Sequence, residues 1–197
     1  MIQLRKHSIS RDTAETKIKL TYDVDGSGEG IIKTGVGFLD HMLVLFKSHG
    51  LFDLDLSCDG DTTVDDHHTT EDIGIALGQA FKAAIGDKAG ITRYASVSIP
   101  MDEALATVHI DISGRSHSVY HVEGLKDKVG QFDTELVQEF FRGFTNHAGV
   151  TLHIQIEYGT NTHHMIEAIF KAFARALDKA SSLNPRVKGI PSTKGVL

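Results

Sequence analysis

His67-His68-x-x-Glu71 and His163-His164-x-x-Glu167 are one ligand-bearing pattern written twice, each residue of the second copy 96 positions after its counterpart. The register continues through Ile73/Ile169, Ala76/Ala172, Ala80/Ala176 and Ala84/Ala180, so a helix has been duplicated together with its ligands. On a helix, positions four apart share a face, so His67 with Glu71, and His163 with Glu167, can close on one cation. Neighbouring side chains diverge by about 100°, which aims His68 and His164 at a different ion from the one their neighbours hold. Two metal sites are therefore expected, each with a His and a Glu from one repeat and the second His from the other. A helix over residues 37–43 lies against residues 134–140 and their flanks in the repeat, setting His41 opposite Glu139 and adding both to the candidate ligands. Mixed imidazole and carboxylate donors suit Mn, Fe, Zn, Co or Ni, and more than four ligands would favour an octahedral ion such as Mn.

The other histidines need no metal. His7, His109, His117, His121 and His153 read as surface or internally satisfied residues, and His49 and His147 each fall near a helix end, where a His can bond the last carbonyls. A second chemistry, anion binding, is offered by Arg93, Arg115 and the tail Pro191-Ser192-Thr193-Lys194-Gly195. Arginine forks suit phosphate, and Ser192, Thr193 and Lys194 bring hydroxyls, backbone N–H groups and an ammonium together.

The elements that position these residues alternate between period-2 and helical patterns. Residues 16–22 read as a strand, and the Gly-rich cluster 25–30 as the turn of a hairpin returning through Ile31-Ile32. A helix follows at about 37–49, then a strand at 54–58, a polar loop, and the long helix capped by Asp65 or Asp66. The second half repeats the order: strands near 96–99, 104–113 and 117–122, a helix at about 133–147, a strand at 151–156 and a last helix. Each half is thus a sheet with two helices, and joining the halves helix face to helix face gives an α+β fold, one domain of two repeats, about 1–90 and 91–182, with a tail 183–197.

Composition bounds the function. At 197 residues, 41% hydrophobic and 23% charged, the chain can bury a substantial core. A formal net charge of −6 without a Lys/Arg run leaves no basic face for nucleic acid. Cys58 is the only cysteine, which fits a reducing compartment, and no stretch approaches the ~20 apolar residues of a membrane span. Met1-Ile2-Gln3-Leu4-Arg5-Lys6 lacks a long apolar signal segment, so a soluble, cytoplasmic protein is expected.

Six segments together resemble the imidazoleglycerol-phosphate dehydratase family: residues 11–16 (RDTAET), 34–42 (TGVGFLDHM), 65–74 (DDHHTTEDIG), 99–103 (IPMDE), 161–168 with its His-His-x-x-Glu, and 191–196 (PSTKGV). The likeness covers nearly the whole chain. It implies a duplicated α+β unit with two manganese ions per chain, a phosphorylated imidazole substrate, and a homo-oligomer of 24 subunits with active sites between chains. Carried over by position, it places metal ligands on His41, His67, His68, Glu71, His163, His164 and Glu167. Many relatives have His where this chain has Glu139, which stays a candidate ligand through oxygen or water. Phosphate-binding positions fall on Arg93, Arg115, Ser192 and Lys194; Thr193 and His49 are carried with them as substrate-binding candidates.

The implied reaction converts imidazole glycerol phosphate to imidazole acetol phosphate in histidine biosynthesis. Loss of water has no carbonyl to acidify the departing proton. An imidazolate held between two metals supplies the electrons that expel the hydroxyl, after which the neighbouring C–H becomes acidic. The resemblance makes Glu15 the leading general acid/base and Asp102 a second acid or orienting group, with Glu15 also touching substrate. A dinuclear metallohydrolase acting on a phosphorylated small molecule, or a metal-storage protein, would use the same donor set. Storage needs neither Glu15 nor the basic tail.

Overall fold

The structure is a computed structural model and describes residues 4–197; Met1–Gln3, part of the stretch read above for a signal segment, lie outside the described residues. The first half contains β1 (Lys6–Asp12), β2 (Thr16–Asp23), β3 (Ile32–Lys33), α1 (Gly37–Gly50), β4 (Asp53–Gly60) and α2 (His67–Ile85). The second contains β5 (Tyr94–Met101), β6 (Ala104–Asp111), β7 (His117–His121), a small ribbon of β8 (Lys128–Val129) and β9 (Phe132–Asp133), then α3 (Leu136–Ala148), β10 (Thr151–Tyr158) and α4 (Thr162–Ser181). Two four-stranded sheets run β1-β2-β4-β3 and β5-β6-β10-β7, the same order of equivalent strands. The α+β class and the duplicated sheet-plus-two-helices unit are as expected.

Each sheet is two-faced. In β2, Ile18, Leu20 and Tyr22 are buried while Lys17 and Lys19 face out, and β6 buries Ala106, Val108 and Ile110 in the same alternation. The buried faces take α2 on the first sheet and α4 on the second.

One expected connection is corrected. The Gly-rich cluster does not close a hairpin on β2, because β3 pairs parallel with β4, Ile32 opposite Leu56. Asp53 is the reason: its Oδ1 accepts the N–H groups of Ser27 (2.8 Å) and Glu29 (3.0 Å), stitching the cluster to β4. Gly30, at φ +117°, passes so close that a Cβ would sit 2.2 Å from the Leu54 carbonyl oxygen. The strand β1 was not foreseen at all. Only Ile9 in it is apolar, which suits an edge strand and leaves no periodic signal.

The helices pair across the repeats: α1 packs on α4, and α2 on α3. The second crossing is a backbone contact. A Cβ on Gly74 would lie 2.4 Å from the Phe140 carbonyl oxygen, and one on Gly78 2.5 Å from that of Phe144. Three glycines, with Gly143 facing Glu71 from the other side, thus let α3 approach α2 closely enough to deliver Glu139 to the ligand-bearing turn.

Candidate active site

Both duplicated motifs open their helix, the histidines in the first turn and the glutamate in the second. Asn161 caps α4, its side-chain oxygen accepting the N–H groups of His163 (3.0 Å) and His164 (3.4 Å). At α2 the acceptor is Asp65, whose Oδ1 takes the His67 N–H at 2.8 Å, while Asp66 makes no side-chain cap bond.

Cross-repeat packing then assembles two groups of three donors: His41, His163 and Glu167, and His67, Glu71 and Glu139, the donor atoms of each within 4.8 Å of one another. In the first group both imidazoles converge on one oxygen, His41 Nε2 at 2.7 Å and His163 Nε2 at 3.1 Å from Glu167 Oε1. In the second, His67 Nε2 stands 3.5 Å from Glu71 Oε2, and Glu139 also pairs with Arg142. The mixing of repeats expected for each site is present, but its third donor is His41 or Glu139. His68 and His164 join neither group.

Electrostatics favour a cation in the first group. Burial alone would raise the Glu167 carboxyl, yet hydrogen bonds from Lys171, His41 and His163 outweigh it and bring its pKa to about 2. A buried carboxylate with two imidazoles on one of its oxygens is a donor set that a divalent ion fits. Lys171 Nζ holds the other oxygen at 2.7 Å and donates to Met101 Sδ at 3.2 Å.

The second histidines stand against carboxylates of their own half. His68 Nδ1 donates to Asp61 Oδ2 at 3.0 Å, with Glu15 Oε1 3.7 Å from its Nε2. His164 Nδ1 donates to Glu103 Oε2 at 2.8 Å, nearer than Asp102 Oδ2 at 3.9 Å. Hydrogen bonds from His164, Asn161 and Thr160 bring Glu103 to about 2, whereas the His68 and His164 rings are pushed up by their carboxylates. Glu15 ends the β1–β2 turn, which Asp72 of α2 pins: Asp72 accepts from Arg11 (2.7 Å) and from the Thr16 hydroxyl (2.5 Å). The Glu15 carboxylate itself is about half exposed and accepts no hydrogen bond among the described residues. Asp102 is exposed on the β5–β6 turn at φ +47°. His49 lies two turns beyond His41 on α1; burial, then Lys171 and Arg175, push its pKa down. His147 does bond a carbonyl, that of Gly143 at 2.9 Å.

All five anion candidates line one cavity of about 540 Å³: Arg93, Arg115, Ser192, Thr193 and Lys194. Arg93 is held there by Asp111 (2.8 and 3.2 Å) and by the Pro191 carbonyl (2.8 Å). Arg115 and Lys194 form no ion pair among the described residues, so their charge is available to an incoming anion.

This cavity is remote from both donor groups within the chain. Arg93 N–H bonds the Ala180 carbonyl near the end of α4, 13 residues past Glu167, or about 20 Å at roughly 1.5 Å per residue. The other helix behaves alike, since Lys88 just beyond α2 lies against Gly114 of the same cavity. Three residues passed over in the sequence stand at the donor end instead: Lys171 against Glu167, Asp61 against His68 and Glu103 against His164. None has a repeat signal; the position 96 before Lys171 is Ile75.

A sequence model of imidazoleglycerol-phosphate dehydratase matches residues 34–177. The imidazoleglycerol-phosphate dehydratase of Oceanobacillus iheyensis is 60% identical over 194 residues, 98% of this chain and 100% of that protein, and that of Pelobacter propionicus is 60% identical over 193 residues, 98% and 99%. Among solved structures, the crystal structure of the Staphylococcus aureus imidazoleglycerol-phosphate dehydratase superposes with a TM-score of 0.81 at 46% identity, over 91% of this chain and 99% of that one. That of the Pyrococcus furiosus enzyme in complex with (S)-C348 gives 0.83 at 36% identity, over 96% and 100%. With the match spanning most of the chain and the fold in agreement, the chain belongs to the imidazoleglycerol-phosphate dehydratase family.

Proposed function

We propose that this protein is a hydro-lyase of histidine biosynthesis that dehydrates imidazole glycerol phosphate to imidazole acetol phosphate. The observation that carries the reading is the pair of three-donor groups at the starts of α2 and α4 in a chain that relatives of that name match from end to end. His41, His163 and Glu167 hold one Mn ion, and His67, Glu71 and Glu139 the other. His68 and His164, aimed away from both groups, add donors to ions held by other copies, which raises the coordination number above four and favours Mn. Held by these residues, divalent cations would supply the Lewis acidity that a substrate without a carbonyl lacks. Glu15 takes the proton from the carbon beside the hydroxyl-bearing one, its unbonded carboxylate leaving lone pairs available. Asp102 is the second acid or orienting group, and His49 is a further substrate-binding residue. Arg115, Lys194, Ser192 and Thr193, with Arg93 as their fixed neighbour, take the phosphate.

Distance supports sites shared between copies. A substrate whose ring and phosphate are joined by a glycerol-length chain cannot span about 20 Å, so the anion cavity of one copy must serve donors of another. A closed homo-oligomer, with 24 subunits as its size, meets that need. The chain works as one duplicated unit with its tail, in the cytoplasm, where a lone Cys58 stays reduced. Among the described residues no helix is long and apolar enough to cross a membrane.

Incubation with imidazole glycerol phosphate and Mn2+ should yield the keto product. Release of inorganic phosphate instead would favour the metallohydrolase. A chain ending at Ile190 should keep its fold and metal but raise KM at least about tenfold with kcat less affected, since charge-assisted contacts to phosphate are lost in ground and transition state alike. An unchanged KM would make the tail a bystander. Chelation should turn a large particle into smaller oligomers, and Mn2+ should restore it, because binding available only to the assembled state shifts the equilibrium toward it. Light scattering reads the mass, and a mass indifferent to metal would mean that other contacts hold the assembly.

A further inference from the structure

The two hairpin turns of the repeat end in the same residue type and use it differently. Glu15 immediately precedes β2, and Glu103 immediately precedes β6; each stands beside the second histidine of its own half. Glu103 is fully engaged. Its Oε1 accepts the N–H groups of Asn161 (2.7 Å) and Thr160 (3.1 Å) and the Thr160 hydroxyl (3.4 Å), while its Oε2 accepts from His164 Nδ1 (2.8 Å). In the first half the corresponding grip on the ring comes from Asp61, whose two oxygens lie 3.0 and 3.2 Å from His68 Nδ1. Asp61 N–H also donates to the Glu15 carbonyl at 3.1 Å, so the same loop fixes the turn that carries Glu15. Glu15's carboxylate is thereby left without a hydrogen bond among the described residues, 3.7 Å from His68 Nε2.

We infer that Glu103 and Asp61 are positioning residues for metal binding, each holding Nδ1–H of the adjacent histidine so that the ring of His164 or His68 presents its Nε2 lone pair to a cation. The inference rests on the reading of His68 and His164 as ligands given above. An imidazole has two tautomers and a freely turning ring at the surface; a carboxylate on Nδ1 selects the tautomer with Nε2 free, fixes the ring and raises its basicity as a ligand. The duplicated turn has thus divided its work. One copy keeps a free carboxylate for proton transfer, and the other spends its carboxylate on ring orientation and on the Thr160–Asn161 segment that starts α4.

The test is a Mn2+ titration of the full chain, followed through the electron paramagnetic resonance signal of free Mn2+. Glu103→Gln should weaken binding about 10–100-fold, and Asp61→Asn should do the same for the class of sites that includes His68. His164→Ala should weaken it at least as much, and adding Glu103→Gln to His164→Ala should cost nothing further, because the carboxylate acts through the ring. Unchanged binding in Glu103→Gln beside a loss in His164→Ala would overturn the inference while leaving His164 a ligand. An equal further loss in the double variant would also overturn it, showing that Glu103 acts by placing α4. Unchanged binding in His164→Ala would instead remove the ligand reading on which the inference rests.

Discussion

Turnover of the Glu15→Gln variant is expected to fall by about 10²–10⁴-fold, with Mn content and substrate affinity close to those of the unaltered protein. The glutamine keeps the size of the side chain and disturbs little else, because the carboxylate accepts no hydrogen bond among the described residues and is about half exposed. The turn itself is held by groups the substitution leaves alone: Thr13, which accepts the Thr16 N–H at 2.9 Å, and Asp72, which grips Arg11 and Thr16. A loss confined to kcat, with KM retained, marks an interaction made only in the transition state. Steady-state kinetics with metal analysis on the same preparation decide it. Near-normal turnover would move proton transfer to another group, and Asp102→Asn would be the next variant to measure.

The candidate donor groups were legible because duplication printed their core twice at fixed spacing in the first two turns of a helix, and i,i+4 geometry needs no tertiary knowledge. His41 and Glu139 fall 98 residues apart instead of 96, so the likeness of the two helices and not the fixed spacing brings them opposite each other. How the helices pair was not legible. An apolar stripe says that a helix is buried, without naming what buries it, and the clue to the α2–α3 crossing lay in Gly74, Gly78 and Gly143, whose meaning appears only when Phe140 and Phe144 approach. The parallel β3 was hidden because Asp53, distant in sequence, captures the Gly-rich loop. Glu103 was missed for a subtler reason. Its counterpart Glu15 lies 88 residues earlier rather than 96, since the connections of the two halves differ in length, so no constant offset aligns them. Asp102, its neighbour, was chosen from the family pattern, while the shorter approach to His164 belongs to Glu103.

His163→Ala should bring the Mn content from two ions per chain to one and lower turnover by at least about 10³-fold, since Lewis acidity at a ring nitrogen contributes several kcal/mol to the transition state. What remains of its group is His41 and Glu167, and Lys171 already holds one oxygen of that carboxylate at 2.7 Å. Even with an imidazole added by another copy, a donor set whose one carboxylate is shared with an ammonium is too weak to retain a divalent ion against water. The matching change in the other group should be milder for metal. His67→Ala leaves Glu71 and Glu139, two carboxylates that can still attract Mn2+, although Arg142 competes for Glu139. The ion of the His67 group should therefore be lost from His67→Ala only on dilution or mild chelation, whereas His163→Ala should not bind the ion of its own group at all. His153→Ala, on the outer face of the second sheet opposite His109, is the control and should change neither metal content nor turnover. Elemental analysis of reconstituted protein beside steady-state rates reads all three variants. Two ions and full turnover in His163→Ala would take that residue out of the metal centre, and equal metal loss from both variants would mean that Glu139 adds nothing its repeat counterpart His41 does not.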